Sequence, residues 1–382
     1  MQAPSLNSEL VVDVEKLAVG GAGVTRHNGF VIFVDQACPG DKLKIKVTEV
    51  KRSFALGKII EILSPGHGRR QAPCHVAGEC GGCNWQHIEE SVQRQQKELI
   101  VKDSLERILG AKNISLLPIV PSPRSLRYRN RIQPKMKGHE FGFFARDSHN
   151  IVSTKDCLIT EEPLAEKLPE IQKWALAQTK DSSLRKLEAY ISADHEIKYH
   201  FIDQDDDGIG FSQVNRFQNE QLIATALDWA QGQYSRLIDL YAGSGNFTFP
   251  LMQKFPRVPT WAVELNGKLV QRAREQSKSK DLNYVCSDIE TFLRRFSLQN
   301  DDLVFLDPPR AGCSEYIMRS IALAQPKKVI YISCHPVALA RDLKWLLSTP
   351  SPRPLSIKRI QPFEMFPQTD HVETIVELGV DS

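Results

Sequence analysis

The sequence predicts an α/β protein: a doubly wound parallel sheet in the C-terminal half, preceded by a small β-barrel and an α+β central region. Three observations predict it. From residue 211 onward, stretches at helical spacing alternate with the apolar runs RLIDLY, TWAVEL, LNYVCSD, DLVFLD and VIYISC, the pattern of parallel strands buried on both faces. Residues 10 to 64 instead carry short alternating segments (VVDVEKL, GFVIFV, KLKIKVTEV, ALGKIIEIL) broken by the turn sequences GGAG and CPGD, which suits a small antiparallel barrel. Between them, the strand-like pieces LRYRNRIQPKM, EFGFFA and LEAYISA mix with the helical EEPLAEKLPEIQKWALAQ.

The chain therefore divides into a barrel at 1–66, a central domain at 67–208 and a parallel-sheet domain at 209–382. In HIEESVQRQQKELIVKDSLERIL the apolar residues Ile88, Val92, Leu99, Leu105 and Leu109 fall mostly at helical spacing, so a long helix over 86–110 is expected, packing on the C-terminal domain. The acidic DQDDDG at 203–208 reads as a solvated hairpin tip or linker. With 382 residues, 41% hydrophobic and 25% charged, disordered and fibrous classes are excluded. No apolar run approaches the roughly 20 residues of a membrane span. The start, MQAPSLNSEL, lacks a basic segment followed by an apolar one. A cytoplasmic monomer with no membrane partner is the expectation.

Net charge is only +3, from 49 basic and 46 acidic side chains, so bulk charge announces no nucleic acid. Its distribution is less even. Lys42, Lys44, Lys46, Lys51, Arg52, Lys58, Arg69 and Arg70 face only Glu49 and Glu61 between residues 42 and 70, although a solvated strand face gives the same alternation.

Each strand of the C-terminal half ends in chemistry. The segment Asp239-Leu240-Tyr241-Ala242-Gly243-Ser244-Gly245-Asn246-Phe247 follows an apolar strand and precedes a helix, placing glycines where the backbone turns sharply and approaches a ligand. The next strand ends in Glu264, at about the 20-residue interval where a carboxylate accepts from ribose hydroxyls. The third ends in Asp288, placed to accept from an adenine amino group, and the fourth in Asp307. Singly each could cap a helix; jointly they line one crevice beyond the carboxyl ends of the strands. A third glycine and a cradle for pyrophosphate are missing, so adenosine without phosphates fits better. DLYAGSGNF, AVELN, CSD and LDPPR together resemble class I S-adenosylmethionine-dependent methyltransferases, which implies a Rossmann-like class I methyltransferase domain.

In VIYISCHP, Cys334 stands at the carboxyl end of the fifth strand. A thiol after an apolar run is commonly structural, but this one falls in the methyl-donor crevice. Enzymes that methylate exocyclic amines usually carry an aromatic residue where Arg310 follows the two prolines. Methylating C5 of a pyrimidine needs more, because that carbon becomes nucleophilic only after a thiolate has added at C6. A base must then remove the C5 proton. In HVETI, strand alternation puts His371 and Glu373 on one face, and Glu373 is a plausible acceptor. LDPPRAG, YISCHP and MFPQTDHVET, with FSQVN at 211–215, resemble the RNA uracil-C5 methyltransferase family. The resemblance implies Cys334 as nucleophile, Glu373 as base and Asp307 as a carboxylate serving the pocket. It also assigns Gln213, Tyr241, Asn246, Glu264, Asp288 and Asp307 to the S-adenosylmethionine site. His335 replaces the asparagine often found after the nucleophile, and it is a candidate for lowering the thiol pKa.

Cys74, Cys80 and Cys83 crowd a glycine loop, and Cys157 follows in STKDCLI. Four thiolates suit structural zinc or an iron-sulfur cluster equally, and spacing does not separate them. Family members with this cysteine arrangement carry a 4Fe-4S cluster, with FFARDSHNIVSTKDCLI resembling the segment that supplies the fourth ligand. Such a cluster would organise the central domain or its RNA contacts, since the reaction transfers no electrons. Cys38, Cys286 and Cys313 match no ligand motif. In RSLRYRNRIQPKMK, residues 124–137 carry six basic side chains and no acid, with Arg127, Arg129 and Arg131 expected on one strand face and in contact with phosphate. The N-terminal barrel resembles a TRAM (OB-like) domain. Together these imply an RNA partner whose target uridine is flipped out of its stack. TRAM plus cluster favours 23S ribosomal RNA, because the common bacterial transfer-RNA members lack both. The alternatives are a transfer-RNA T-loop uridine, cytosine-C5 methylation, or a non-catalytic redox-sensing RNA-binding protein.

Overall fold

The computed structural model describes residues 2–178, 183–202 and 213–380, so the DQDDDG tip and Phe211 and Ser212 lie outside the described residues. The chain forms two compact units. The first comprises 1–100, 123–208 and 366–371; the second comprises 101–122, 209–365 and 372–382.

The first unit contains two sheets. Strands β1 (Glu9–Asp13), β2 (Lys16–Leu17), β3 (Gly23–His27), β4 (Phe30–Val34), β5 (Lys42–Val50) and β6 (Phe54–Ser64) build one in the order β1-β5-β6-β4-β3-β2. Alternation in KLKIKV buries Leu43, Ile45 and Val47 completely and turns Lys42 and Lys46 to solvent. The pairing departs from the all-antiparallel expectation at one place: β4 and β6 run parallel, from Val31↔Phe54 to Val34↔Gly57. Strand β5 provides the crossover that such a pair needs. Helix α1 (Glu90–Leu109) begins in this unit, where Val92 and Ile100 pack with Leu17, Cys38, Trp85 and Ile88.

Strands β7 (Arg131–Ile132), β8 (Lys135–Lys137), β9 (Glu140–Phe144) and β10 (Ile151–Val152) are followed by helices α2 (Glu162–Glu166) and α3 (Leu168–Ala177) and by strands β11 (Leu184–Ile191) and β12 (Ile197–Ile202). The strands make the second sheet, in the order β10-β9-β8-β11-β12, with β7 also on β11. Leu164, Leu168, Ile171 and Ala175 of the helices pack on Ile132, Met136, Phe141, Leu187 and Ala189. Lys167 ends one helix and caps the next, and a proline sits in the first turn of each, where no N–H partner is required.

The second unit opens with α4 (Arg216–Trp229) and alternates β13 (Arg236–Leu240), α5 (Thr248–Lys254), β14 (Thr260–Glu264), α6 (Gly267–Gln276), β15 (Leu282–Cys286), α7 (Ile289–Arg295), β16 (Asp302–Leu306), α8 (Glu315–Ala324), β17 (Lys328–Ser333) and α9 (Pro336–Leu347), then β18 (Leu355–Phe363) and β19 (Glu373–Val380). The strand order is β15-β14-β13-β16-β17-β19-β18. The five strands read from the sequence are parallel, and β19 runs antiparallel between β17 and β18. Order reverses between β13 and β16, which marks the ligand crevice beyond their carboxyl ends. Val101 and Leu105 of α1 belong to this unit's core, with Ile238, Leu306, Leu339 and Val376.

Candidate active site

The turn from β13 into α5 is tightly specified. Tyr241, Gly243 and Gly245 have φ of 67°, 57° and 99°, the left-handed region that favours glycine. A Cβ on Gly245 would stand 2.3 Å from the Phe249 ring, whereas one on Gly243 would meet nothing within 4 Å, so the turn presents an open face. Glu264 holds the turn: its Oε2 accepts from Gly243 N at 3.0 Å and its Oε1 from Asn266 N at 2.8 Å. Tyr284 donates to Gly243 O at 2.7 Å. Asn246 exchanges amide hydrogen bonds with Asn219, at 2.9 and 3.1 Å. Tyr241, Asn246 and Glu264 therefore meet at one turn. Asp288 is exposed two residues beyond β15, where it caps α7 by accepting from Thr291 N at 2.8 Å. Gln213 is half-buried ahead of α4.

Two residues that carry weight here had no role in the sequence reading. Asn215, fully buried, caps α4 and donates to Ser122 Oγ at 3.1 Å and Met365 O at 3.0 Å, which anchors the segment bearing Gln213. An asparagine just before a helical period was the available signal. Asp239, 2% exposed, accepts from Thr248 Oγ1 through one oxygen, while its Oδ1 has no hydrogen-bond partner. Burial and the neighbouring Glu264 push its carboxyl up to about 7. Nothing in the sequence distinguishes that burial from ordinary strand polarity.

At the other side of the crevice, the β17–β19 pairing ends at Ser333↔Thr374, so Cys334 follows opposite Glu373. Glu373 is 2% exposed and pairs with Phe363 of β18. Asp307 follows β16, the strand on the other side of β17. Burial, together with the repulsion between Asp307 and Glu373, holds the Glu373 carboxyl well above its ordinary range; burial and Asp239 do the same for Asp307. The Cys334 thiol is pushed up to about 12 by burial and then by Glu373 and Asp307, with Arg310 pulling the other way. His335 caps α9, its Nδ1 accepting from Ala338 N at 3.2 Å. A thiol and a carboxyl side by side at the ends of neighbouring strands can add to an electrophilic ring carbon and remove a proton from the next one.

The model of the family described as tRNA (Uracil-5-)-methyltransferase matches residues 179–286 and 285–380, and that of the TRAM domain matches residues 6–60. An RNA methyltransferase of Bdellovibrio bacteriovorus is 54% identical over 384 residues, covering 100% of this chain and 98% of that protein. The chain belongs to the tRNA (uracil-5-)-methyltransferase family. It is an S-adenosylmethionine-dependent RNA uracil-C5 methyltransferase with an N-terminal TRAM domain. Among other members, an RNA methyltransferase of Thermosynechococcus vestitus is 31% identical over 439 residues, covering 96% of each chain. The crystal structure of Pyrococcus abyssi tRNA (uracil-54, C5)-methyltransferase in complex with S-adenosyl-L-homocysteine superposes with a TM-score of 0.74 over 97% of this chain and 100% of that one; at 20% identity it shows the shared fold.

The four candidate ligand cysteines lie in the first unit. Cys74, Cys80, Cys83 and Cys157 are half-buried and free of disulfides. Burial raises the first three thiols, Cys83 to about 12, and Cys157 raises each of them further, so the thiols are electrostatic neighbours. Among the described residues, however, no three His, Cys, Asp or Glu side chains converge as around a metal ion, and the expected ligand shell is not assembled. The basic run differs from expectation too. Arg127 is not on a strand: its φ is 53°, its guanidinium grips Asp156 through two bonds of 2.7 and 2.8 Å, and it donates to Cys157 O. Arg131 pairs with the fully buried Glu188 at 3.5 Å. Acids distant in sequence thus pair with two of the six basic residues of the run. Arg69 and Arg70 are likewise paired, with Asp41 and Glu90. Lys42 and Lys46 remain on the outer face of the TRAM sheet. Cys38 and Cys313 are buried in apolar cores and Cys286 is exposed. No helix among the described residues is long and apolar enough to cross a membrane.

Proposed function

We propose that the enzyme methylates one uridine of 23S ribosomal RNA through a covalent adduct between Cys334 and C6 of the base. The observation that carries the mechanism is the juxtaposition of Cys334 and Glu373 at the ends of β17 and β19, with Glu373 almost fully removed from water. Tyr241, Asn246, Glu264 and Asp288, with Gln213 and Asp307, would hold S-adenosylmethionine, and the open face at Gly243 fits a ligand laid against backbone. S-adenosylmethionine supplies the methyl group that C5 receives. Cys334 Sγ adds to C6 after losing its proton, which makes C5 electron-rich. Glu373 then removes the proton from C5, the sulfur leaves, and the C5–C6 double bond returns. Both groups must ionise first, and burial opposes this in each.

A three-part organisation, with barrel, central and catalytic segments at 1–66, 67–208 and 209–382, remains our reading. Cys74, Cys80, Cys83 and Cys157 would hold a 4Fe-4S cluster. Their mutual electrostatic influence and their freedom from disulfides support the donor set, although their present arrangement would have to tighten. The cluster would organise the central segment. Anaerobically purified protein should be brown, with iron and sulfide near four per chain; colourless, zinc-loaded protein would remove the cluster.

Transfer RNA has its own support, since the family description and the Pyrococcus abyssi structure both name it. Mapping 5-methyluridine in total RNA from a deletion strain separates the two. Loss of one 23S position supports our reading, and loss of the T-loop position overturns it. In either RNA, 5-fluorouridine at the target should trap a denaturation-resistant adduct with the wild type and none with Cys334→Ala, which should also lose at least about 10⁴-fold in methylation.

A further inference from the structure

Three segments of the second unit are tied together by one carboxyl that the reaction itself does not use. The loop that leaves Asp307 runs through Arg310 to Ser314, which caps α8; β17 leads to Cys334; and α9 begins two residues after that thiol. Asp342 of α9 is fully buried, and both of its oxygens are occupied. Its Oδ2 accepts from Tyr331 Oη of β17 at 2.5 Å and from Cys313 N of the loop at 2.7 Å. Its Oδ1 accepts from Arg341 Nε at 2.9 Å and from Arg341 Nη2 at 2.7 Å. Arg341 Nη2 also donates to Ala311 O at 2.6 Å and to Cys313 O at 3.2 Å. Gly312, between those two carbonyls, has φ 77°, and a Cβ there would stand 2.3 Å from Asp342 Oδ2, so the loop lies directly on the carboxyl.

We propose that Asp342 and Arg341 are positioning residues that lock the loop at 307–313 onto β17 and so fix where Arg310 stands relative to Cys334. This rests on Cys334 being the nucleophile. Three observations carry it. Arg310 is a cation that favours the Cys334 thiolate, against Glu373 and Asp307, which oppose it. Arg310 is exposed, and among the described residues its side chain makes no hydrogen bond or ion pair, so its place is set by the backbone that carries it. That backbone is pinned one and three residues further on, at Ala311 and Cys313, a reach of at most about 10 Å. The other end of the clamp, Tyr331, lies three residues before Cys334. A buried carboxyl with its donors in place holds its seat, because every bond it gave up would leave a polar group unpaired. The attraction between Arg310 and the thiolate falls with distance, so a loop released from the clamp leaves the thiol less ionised.

Alkylation of Cys334 by iodoacetamide in the RNA-free enzyme reads its thiolate, and adduct formation on 5-fluorouridine RNA reads the same group in the reaction. Alkylation is quantified on the Cys334 peptide, with the exposed Cys286 as reference. At about pH 8, Asp342→Asn and Arg341→Gln should each slow alkylation and adduct formation at least about threefold. A merely structural role gives alkylation the opposite sign, since a loosened site admits the reagent faster. Unchanged or faster alkylation would therefore overturn the proposal. Arg341→Gln, at a side chain 41% exposed, serves if Asp342→Asn does not fold. Arg310→Gln should slow alkylation by at least as much, and adding Arg341→Gln to it should change the rate by less than about twofold, because the clamp acts through Arg310. Losses that multiply in the double variant would overturn it as well. Cys334→Ala is run alongside. If that variant still forms the adduct, the nucleophile assignment falls and takes the clamp with it; if it forms none and the clamp variants alkylate as the wild type does, the clamp alone falls.

Discussion

Asp41 in the first unit and Glu373 in the second are both carboxyl groups almost entirely removed from water, at 0% and 2% exposure, yet their surroundings are opposite. Asp41 accepts from Cys38 N and Gly66 N and pairs with Arg69 through both oxygens. Glu373 instead has the carboxyl of Asp307 and the thiol of Cys334 as its electrostatic neighbours. A buried charge with its partners in place is ordinary architecture. A group of acids buried together costs stability, and proteins keep such arrangements where function needs them. Both units hold such pairs, Arg127 with Asp156 in the first and Arg236 with the fully buried Asp302 in the second. The candidate site departs from them: there Asp239 raises the proton affinity of Asp307, and Asp307 that of Glu373.

Isosteric substitution should therefore have opposite signs at the two sites. Asp41→Asn leaves Arg69 buried without its counter-charge and should cost about 3–5 kcal/mol, read by urea denaturation; a change under about 1 kcal/mol would erase the distinction. Adduct formation on 5-fluorouridine RNA should rise about tenfold per pH unit across the neutral range, because the thiol holds its proton above the usual value. A flat profile would mean that the site does not impose this cost. Glu373→Gln should stabilise the fold while it disables turnover. The carboxyl's folded-state pKa lies above its unfolded value, so the native state loses stability as pH climbs between the two, and glutamine escapes that loss. At pH near 8 we expect a gain of at least about 2 °C in melting temperature, shrinking to nothing below about pH 4.5. The smallest effect belongs to the first unit. Arg127→Lys removes a bidentate grip on a half-exposed Asp156 and should cost under about 1 kcal/mol.

Much of the second unit was legible because its signals are local. An apolar run followed by a glycine turn, and a carboxylate at the end of the next strand, are short-range patterns, and the structure brings Tyr241, Asn246 and Glu264 to one turn. Cys334 and Glu373 were readable singly; their juxtaposition depends on β19 inserting between β17 and β18, which no window of sequence reveals. Asp288 was read with the others and is an exposed cap of α7, following Ser287, whose N donates to Glu264 O. In the first unit the signals mislead for a related reason. The run from Arg124 to Lys137 contains no acid, but Asp156 and Glu188 reach it from distant elements. A count of charge along the chain sees one member of each pair. Likewise the parallel β4–β6 contact is invisible in alternation, which gives a strand its faces and not its neighbours. Gln368 and Asp370 lay inside a quoted motif, yet their partners lie hundreds of residues earlier.

The central claim, that Cys334 and Glu373 form one covalent catalytic pair, meets its most direct test in Glu373→Gln incubated with S-adenosylmethionine and RNA containing ordinary uridine. Denatured complexes are digested and the cross-linked peptide is identified by mass spectrometry. The account expects a stable adduct joining the Cys334 peptide to a uridine that already carries the added methyl group. An adduct on another cysteine, or prompt release of methylated RNA with no adduct, would contradict it.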